Sequence, residues 1–461
     1  MTSQTNVVIL AAGLGTRMRS KRAKVLHRAG GLTLIEHVVH VAGSITPASS
    51  ITVVVGHQAQ EVRALLAPAP VHFVDQTEQK GTGHALLACR ESLASESGFV
   101  VVLYGDCPLL SPATLTELVG RQRESNSAAT VITTRLDDPT GYGRIIFGEN
   151  GVVAAIVEHN AATPAQLAIP FINSGIYCFR ADLLWKYLPE IQPHNPVREY
   201  YLTDIVEILG RSGHTVASME VENSAELLGI NTRLELAAVD KIFRDRKVRE
   251  LMLAGVTIEK PETVTVDSCV RMGEDSIVGP FAQILGRTEI GEDCRIGACS
   301  IVENSTLASH VEIAPFTSVV DSQIEAGAMV GPFARLRPGN RVGPGARIGN
   351  FVELKNTRLG AGSKANHLAY LGDSEIGERT NIGAGTITCN YDGALKHKTQ
   401  IGQEAFIGSN STLVAPLEIG DGSYIGAGSV ITHAVPPEAL AVGRSRQVNK
   451  EGWAARRKKK K

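Results

Sequence analysis

The sequence predicts two folds in series, an α/β domain followed by a parallel β-helix, and three observations carry that reading. Strand-like runs alternate with helical patterns through the first half. A charged stretch without Gly or Pro separates the halves. In the second half Ile401, Ile407, Leu413, Ile419, Ile425 and Ile431 fall six residues apart. A helix returns an apolar residue every three or four positions and a strand alternates every two, so this period fits neither. It fits a coil of three short strands, in which each six-residue unit makes one flat side and one turn. One aliphatic side chain per unit then points into a continuous interior stack.

In the first half, residues 7–10 are a short apolar run that breaks into a small-residue loop, a buried strand feeding a turn. Further strands are expected over residues 51–55, 99–104 and 130–134, and helices over 34–42 and 114–125. A largely parallel sheet binds ligands beyond the carboxyl ends of its strands. The first loop is therefore a candidate anion site, with Gly13 and Gly15 admitting close backbone approach and Arg17 and Lys24 adding positive charge. A dinucleotide fingerprint would need a third Gly where Met18 stands, and a Walker loop would need Gly-Lys-Ser/Thr; both are absent.

Residues 233–253 lack Gly and Pro, carry Leu234, Ala238, Ile242 and Leu253 among many charges, and are followed by Gly255. These are the marks of one long helix and its end. The expected organisation is a domain over 1–232, a helical linker over 233–254 and a β-helix over 255–461, with an ordinary surface helix packed on the first domain as the alternative for the linker. In the β-helix the beat also runs through Ile324, Val330, Leu336, Val342, Ile348 and Leu354, and more raggedly from Ile277 to Ile301, which leaves the number of coils open. Interruptions of a regular ladder mark where something else is built. Two are expected, over residues 355–375 and 388–398, and polar groups cluster in both.

A formal net charge of -1 with 20% charged residues gives no electrostatic footprint for nucleic acid. The basic residues 456–461 suit a solvated end and receive no role. Seven scattered cysteines without metal-site spacing suit free thiols in a reducing compartment. No apolar run approaches the roughly 20 residues that span a bilayer, and residues 1–6 lack a signal peptide's apolar core. A soluble cytoplasmic protein without membrane insertion is the expectation.

The run Leu10-Ala11-Ala12-Gly13-Leu14-Gly15-Thr16-Arg17-Met18, with Lys24-Val25-Leu26 after it, resembles the signature of the sugar-1-phosphate nucleotidylyltransferases. The resemblance continues in order to residue 231. It implies a Rossmann-like nucleotidylyltransferase domain in which Leu10, Ala11, Ala12, Gly13, Gln76, Gly81 and Thr82 hold the nucleotide. Tyr104 and Gly105, at a strand end, would belong to the same UTP and UDP-N-acetylglucosamine site, Gly143, Glu158 and Asn173 would form the sugar pocket, and Asp106 and Asn231 would hold Mg²⁺. Taken singly, Asp106 also suits a turn or cap and Glu158 a solvated surface carboxylate. The chemistry agrees with the inventory. A sugar phosphate attacking the α-phosphate of UTP is already an anion, so no general base is needed; cations such as Arg17 and Lys24 must offset charge repulsion and stabilise the leaving pyrophosphate.

The polar segments of the second half resemble the acetyltransferase half of the bifunctional N-acetylglucosamine-1-phosphate uridylyltransferase/glucosamine-1-phosphate N-acetyltransferase family. That resemblance makes the coil a left-handed parallel β-helix of hexapeptide repeats and His367 the base that takes a proton from the sugar amine as it attacks acetyl-CoA. Imidazole suits the task, being neutral and basic near pH 7. It further implies that Arg337, Lys355, Tyr370, Asn381, Asn390 and Lys396 contact the sugar phosphate. Ala384, Asn390, Tyr391, Ser409, Ala427 and Arg444 would contact acetyl-CoA. A homotrimer with acetyl sites where β-helices meet is implied, as are UTP and glucosamine 1-phosphate as substrates. The competing reading is a single-activity nucleotidylyltransferase whose β-helix serves assembly or regulation. His367 beside Asn366 and Tyr370 argues against it.

Overall fold

The computed structural model describes residues 4–93, 97–193, 195 and 198–458. The first three residues of the chain and the last three lysines of the basic tail lie outside them. The chain divides into two compact units, Met1–Phe243 and Arg244–Lys461.

In the first unit the strand Thr5–Leu10 is central because all six of its residues are buried, which a strand covered on both faces requires. It pairs in parallel with Ile51–Val55 and with Phe99–Tyr104, so that Leu10, Val54 and Tyr104 end level with one another. The sheet continues outward through Phe171–Arg180, Ala129–Arg135 and Val216–Glu220 on one side and His72–Asp75 on the other. Phe171–Arg180 runs antiparallel to both of its neighbours and the rest of this path is parallel. Alternation divides the strands between two cores. Val8, Leu10, Val100 and Val102 pack in one with Ile205 and Leu209, and Val7, Ile9, Val101 and Leu103 in the other with Ile35, Val38, Leu115 and Leu118. The helices of the second core start on strong signals: Thr33 forms a capping box with Glu36, and Ser111 caps a helix that opens on Pro112.

The helix Arg233–Leu253 forms as one element. Of the row read from the sequence, only Ile242 packs inward, half-buried against a core of the first unit. Leu234 and Leu253 are exposed, whereas Val239 packs in the first unit and Val248 and Leu251 join the core of the second.

The second unit is a three-sided coil of parallel sheets with eleven, ten and nine strands. Every member of both aliphatic runs, from Ile324 to Leu354 and from Ile401 to Ile431, is buried in one core. The small residues between them close the corners from inside, and their hydroxyls find carbonyls: Ser423 Oγ donates to Pro436 O at 2.8 Å and Ser363 Oγ to Gly377 O at 2.6 Å.

Two expectations are corrected here. Residues 355–375 are no insertion, because Leu359, Ala365 and Leu371 continue the buried ladder. Ile348 pairs with Ala365 and Ala365 with Ile382, so each of these turns falls one position short of three full sides. The shortened side shifts the beat by one, and Ala365 is too small to register as a rung. The turn from Ile382 to Ile407 is the long one, and the turn after it, to Ile425, returns to three full sides. The extra chain lies between the strands Ile387–Cys389 and Thr399–Ile401, and its rung is Thr388, with Ile387 46% exposed. The stretch described as ragged is regular one residue later: Val278, Ile284, Ile290, Ile296 and Val302 are the inward residues.

Candidate functional sites

Beyond the carboxyl ends of the three central strands lies a cleft of about 530 Å³. Leu10, Ala11, Ala12, Gly13, Arg17, Lys24, Gln76, Gly81, Thr82, Tyr104, Asp106 and Asn231 all line it. Backbone bonds assemble it from distant segments. Gly105 N donates to Leu10 O at 3.0 Å, Gln76 N to Val55 O at 2.8 Å, and Ile230 N to Asp106 O at 3.0 Å. Asn231 and Thr232 donate their N–H groups to Glu235 Oε2 at 2.6 and 2.7 Å, which fixes the turn into the following helix. Glycine is required at 15, where φ is +61° and a Cβ would stand 2.7 Å from that of Lys24. It is required again at 81, where φ is +105° and a Cβ would stand 2.6 Å from Tyr200 O.

Charge is concentrated at one end of this cleft. The Lys24 ammonium ion-pairs with Asp106 Oδ2, the two side chains being 16% and 15% exposed, and donates to Asn231 Oδ1 at 3.1 Å. Arg17 Nη2 reaches the same Asn231 oxygen at 2.8 Å. At the other end Gln76 Nε2 donates to Gly81 O at 3.0 Å, which leaves its own carbonyl oxygen as an acceptor.

Gly143, Glu158 and Asn173 form a second cluster. Asn173 N donates to Gly143 O at 2.9 Å, and a Cβ at 143 would lie 3.5 Å from Asn173 Cβ and 3.6 Å from Glu158 Oε2. Burial pushes the Glu158 carboxyl above the usual carboxylate range, while a hydrogen bond from Thr203 Oγ1 at 3.3 Å pulls it partly back and Asp204 raises it further.

On the coil, register builds the second site. Asn350 pairs directly with His367 in the ladder. The corner bonds continue upward, Asn410 N to Ala384 O at 2.7 Å and Gly428 N to Ser409 O at 2.8 Å. Asn350, His367, Ala384, Ser409 and Ala427 each stand two residues past paired rungs, so they occupy one corner on successive turns. Arg444 lies against Gly428 at the top of this column, its Cδ 3.7 Å from where a Cβ would be. The His367 ring is exposed, and its Nδ1 lies 2.8 Å from Asn350 Oδ1. A carboxamide oxygen only accepts, so in the neutral ring Nδ1 carries the proton and the lone pair is on Nε2. Asn381 stands on the adjoining flat face, paired with Lys364 and Phe406.

A cationic cluster occupies the next corner. Lys355 Nζ lies 3.7 Å from Asp373 Oδ2, and Arg337 Nη1 lies 3.2 Å from Glu353 Oε1. Asn390 donates to Asp373 Oδ2, and Asn356 donates to Oδ1 at 2.7 Å. A Cβ on Gly372 would meet Tyr370 Oη at 2.5 Å and Asn390 Nδ2 at 2.8 Å, so both side chains close over that glycine. Burial alone would raise the Asp373 carboxyl, but Asn356, Asn390, Lys355 and Lys396 hold it below its ordinary value. Contact with Lys355 and its like charge lower the Lys396 ammonium, and Arg337 adds to the effect. Three cations crowd where a phosphate would relieve them. Tyr391, 59% exposed, donates its hydroxyl to Gly393 O at 2.6 Å within the long loop.

Asn350, Asp373, Glu199 and Thr203 escaped the sequence reading. Asn350 was one residue out of reach of it, since three full sides back from His367 is Gly349 and only the shortened turn places Asn350 opposite the ring. Glu199 lines the cleft from a segment with no periodic signal. Among the described residues no group of three or more His, Cys, Asp and Glu side chains forms a metal cage, and no helix is long and apolar enough to cross a membrane.

Comparison with known proteins agrees with both halves. A family model described as MobA-like NTP transferase domain matches residues 7–178, and one described as bacterial transferase hexapeptide (six repeats) matches 269–304 and 398–433. The chain is 58% identical over 459 residues to the bifunctional protein GlmU of Solibacter usitatus, covering 100% of this chain and 98% of that protein. It is 49% identical over 455 residues to that of Koribacter versatilis, covering 98% and 97%, and 46% identical over 450 residues to that of Alkaliphilus metalliredigens, covering 98% of each.

Proposed function

The chain belongs to the family of bifunctional GlmU proteins, and from that premise we propose that it acetylates glucosamine 1-phosphate with acetyl-CoA and then transfers UMP from UTP to the N-acetylglucosamine 1-phosphate formed. The products are UDP-N-acetylglucosamine, pyrophosphate and coenzyme A. One observation carries the two-activity reading over that of a single nucleotidylyltransferase: His367 keeps a free Nε2 at the foot of a column of small residues, an arrangement that assembly alone does not need. We assign uridylyl transfer to residues 1–232, acetyl transfer to 255–461 and a linking helix to 233–254.

In the acetyl site the sugar amine attacks the thioester carbonyl, His367 Nε2 accepts the amine proton, and the C–S bond breaks to release coenzyme A. Asn350 holds the ring in the tautomer that leaves Nε2 free. Arg337, Lys355 and Lys396, with Tyr370, Asn381 and Asn390, receive the sugar phosphate. Ala384, Ser409 and Ala427 leave a shallow track for the pantetheine arm, with Tyr391 and Arg444 at its sides. No bond among the described residues joins His367 to Lys355, Tyr370 or Lys396. We therefore assign the complementary part of the pocket to a neighbouring copy in a homotrimer.

In the cleft the phosphate oxygen of N-acetylglucosamine 1-phosphate attacks the α-phosphorus of UTP, and the bond to pyrophosphate breaks. Arg17 and Lys24 offset the charge that develops there. Gln76, Gly81 and Thr82 orient the base, and Gly143, Glu158 and Asn173 the sugar. The residues fit a divalent cation, because the hard oxygens of Asp106 and Asn231 already converge on one cation, the Lys24 ammonium. Mg²⁺ takes one or two such protein oxygens and completes its shell from water and phosphates. When bound it neutralises the triphosphate. A cytoplasmic location follows from these substrates.

The test supplies glucosamine 1-phosphate, acetyl-CoA, UTP and Mg²⁺ and follows free thiol and pyrophosphate together. Thiol should appear without UTP, and pyrophosphate only once acetyl-CoA is present. Supplying N-acetylglucosamine 1-phosphate should remove that dependence. Equal pyrophosphate release from the unacetylated sugar, or no thiol at all, would refute the reading.

A further inference from the structure

Between Arg17 and Arg28 the chain carries Arg17, Arg19, Lys21, Arg22, Lys24 and Arg28 and no acidic residue. Arg17 and Lys24 line the cleft, but Lys21, Arg22 and Arg28 line a separate hollow of about 480 Å³, together with Thr33, Gln58 and Glu61. Three cations therefore face one acid. Among the described residues none of the three forms an ion pair, and Arg28 spends one N–H on Gly31 O at 2.8 Å. Gln58 also precedes the helix Ala59–Leu66, whose first N–H groups add partial positive charge at the same wall. The buried His27 nearby is held below its ordinary pKa first by desolvation, with Arg233 and Arg22 lowering it further and a backbone bond at Arg22 raising it in part.

The hollow is wired to the cleft. Gln58 Oε1 accepts from Ala23 N at 2.5 Å, so a residue of its wall holds the N–H of the residue before Lys24.

We propose that the hollow lined by Lys21, Arg22 and Arg28 is a second anion site, outside the cleft but on the same loop, that takes a compact polyphosphate such as inorganic pyrophosphate. Three cations that line one hollow are neutralised by a multivalent anion more fully than by a single charge. An anion there draws on the loop and on Gln58, and so changes the setting of Lys24. The choice of pyrophosphate rests on the proposed uridylyl transfer, of which it is a product; the basic hollow itself does not.

The experiment is equilibrium dialysis of pyrophosphate, in metal-free buffer so that reverse transfer does not consume it, against the full-length protein with its cleft saturated by UDP-N-acetylglucosamine. Wild type should bind one pyrophosphate per chain. A triple variant, Lys21→Ala with Arg22→Ala and Arg28→Ala, should weaken it at least about tenfold, and the charge-preserving Lys21→Arg, Arg22→Lys, Arg28→Lys should retain it. Equal binding by wild type and the alanine variant overturns the site, as does no binding by wild type. Phosphate or sulfate binding as tightly as pyrophosphate at matched ionic strength overturns the polyphosphate assignment. Thiol and pyrophosphate release by the same wild-type preparation test the cleft separately, so failure of that reading is distinguishable from failure of this one.

Discussion

The two sites are built by opposite routes. In the first unit Lys24, Asp106 and Asn231 converge from three segments, across sequence separations of 82 and 207 residues, and no period in the chain relates them. On the coil, His367 and the small residues above it are related by ladder register, each standing two residues past a paired rung on successive turns. The sheet domain therefore concentrates its chemistry at one strand-end edge, where each loop is free to vary. The coil distributes its chemistry along a corner, which ladder pairing keeps aligned even across the long turn from Ile382 to Ile407.

The sharpest way to break this comparison is to disable each site alone. His367→Ala should lower acetyl transfer by about 10²–10⁴-fold and leave uridylyl transfer from N-acetylglucosamine 1-phosphate intact. Lys24→Ala should lower uridylyl transfer by about 10²–10³-fold, the usual effect of deleting one preorganised donor at developing charge, and spare thiol release. Either variant damaging both activities would show that the sites are not independent. The continuity of the coil is tested next. Leu371→Ala, at a fully buried rung, should cost about 2–5 kcal/mol in denaturant unfolding, whereas Leu368→Ala, 62% exposed beside it, should stay within about 0.5 kcal/mol. Equal effects would return residues 355–375 to the status of an insertion.

Smaller effects refine the assignment of the ring and of the sugar pocket. Asn350→Ala removes the partner that sets the His367 tautomer, so acetyl transfer should fall by about tenfold and its pH profile should shift while uridylyl transfer holds. Burial raises the Glu158 carboxyl, so the folded state binds the proton more tightly than the unfolded chain does. Its contribution is neutral below the ordinary carboxylate pKa and becomes destabilising as pH rises toward the raised value. Glu158→Gln should therefore raise the urea midpoint at pH 7 and leave it unchanged at acid pH, with sugar binding weakened throughout. A gain that persists at low pH would sink that account.

Much of this was legible before any coordinates. The six-residue beat, the first strand and its loop, and the helix from 233 to 253 follow from local pattern, since side-chain period and turn chemistry act over a few residues. What misled the reading was local as well. Ala365 does not look like a rung, Thr388 is polar, and shortened sides shift the phase, so a continuous ladder read as a broken one.

By itself the sequence determined the two fold types, the aliphatic interior of the coil and the residue types that chemistry needs, because these depend on composition and spacing along one chain. Only the tertiary structure decided that Lys24 meets both Asp106 and Asn231, that Asn350 orients His367, and that Lys21, Arg22 and Arg28 turn away from the cleft their neighbours line. The physical reason is that a contact between distant residues is set by strand register and backbone closure across the whole unit, which no short window of sequence contains.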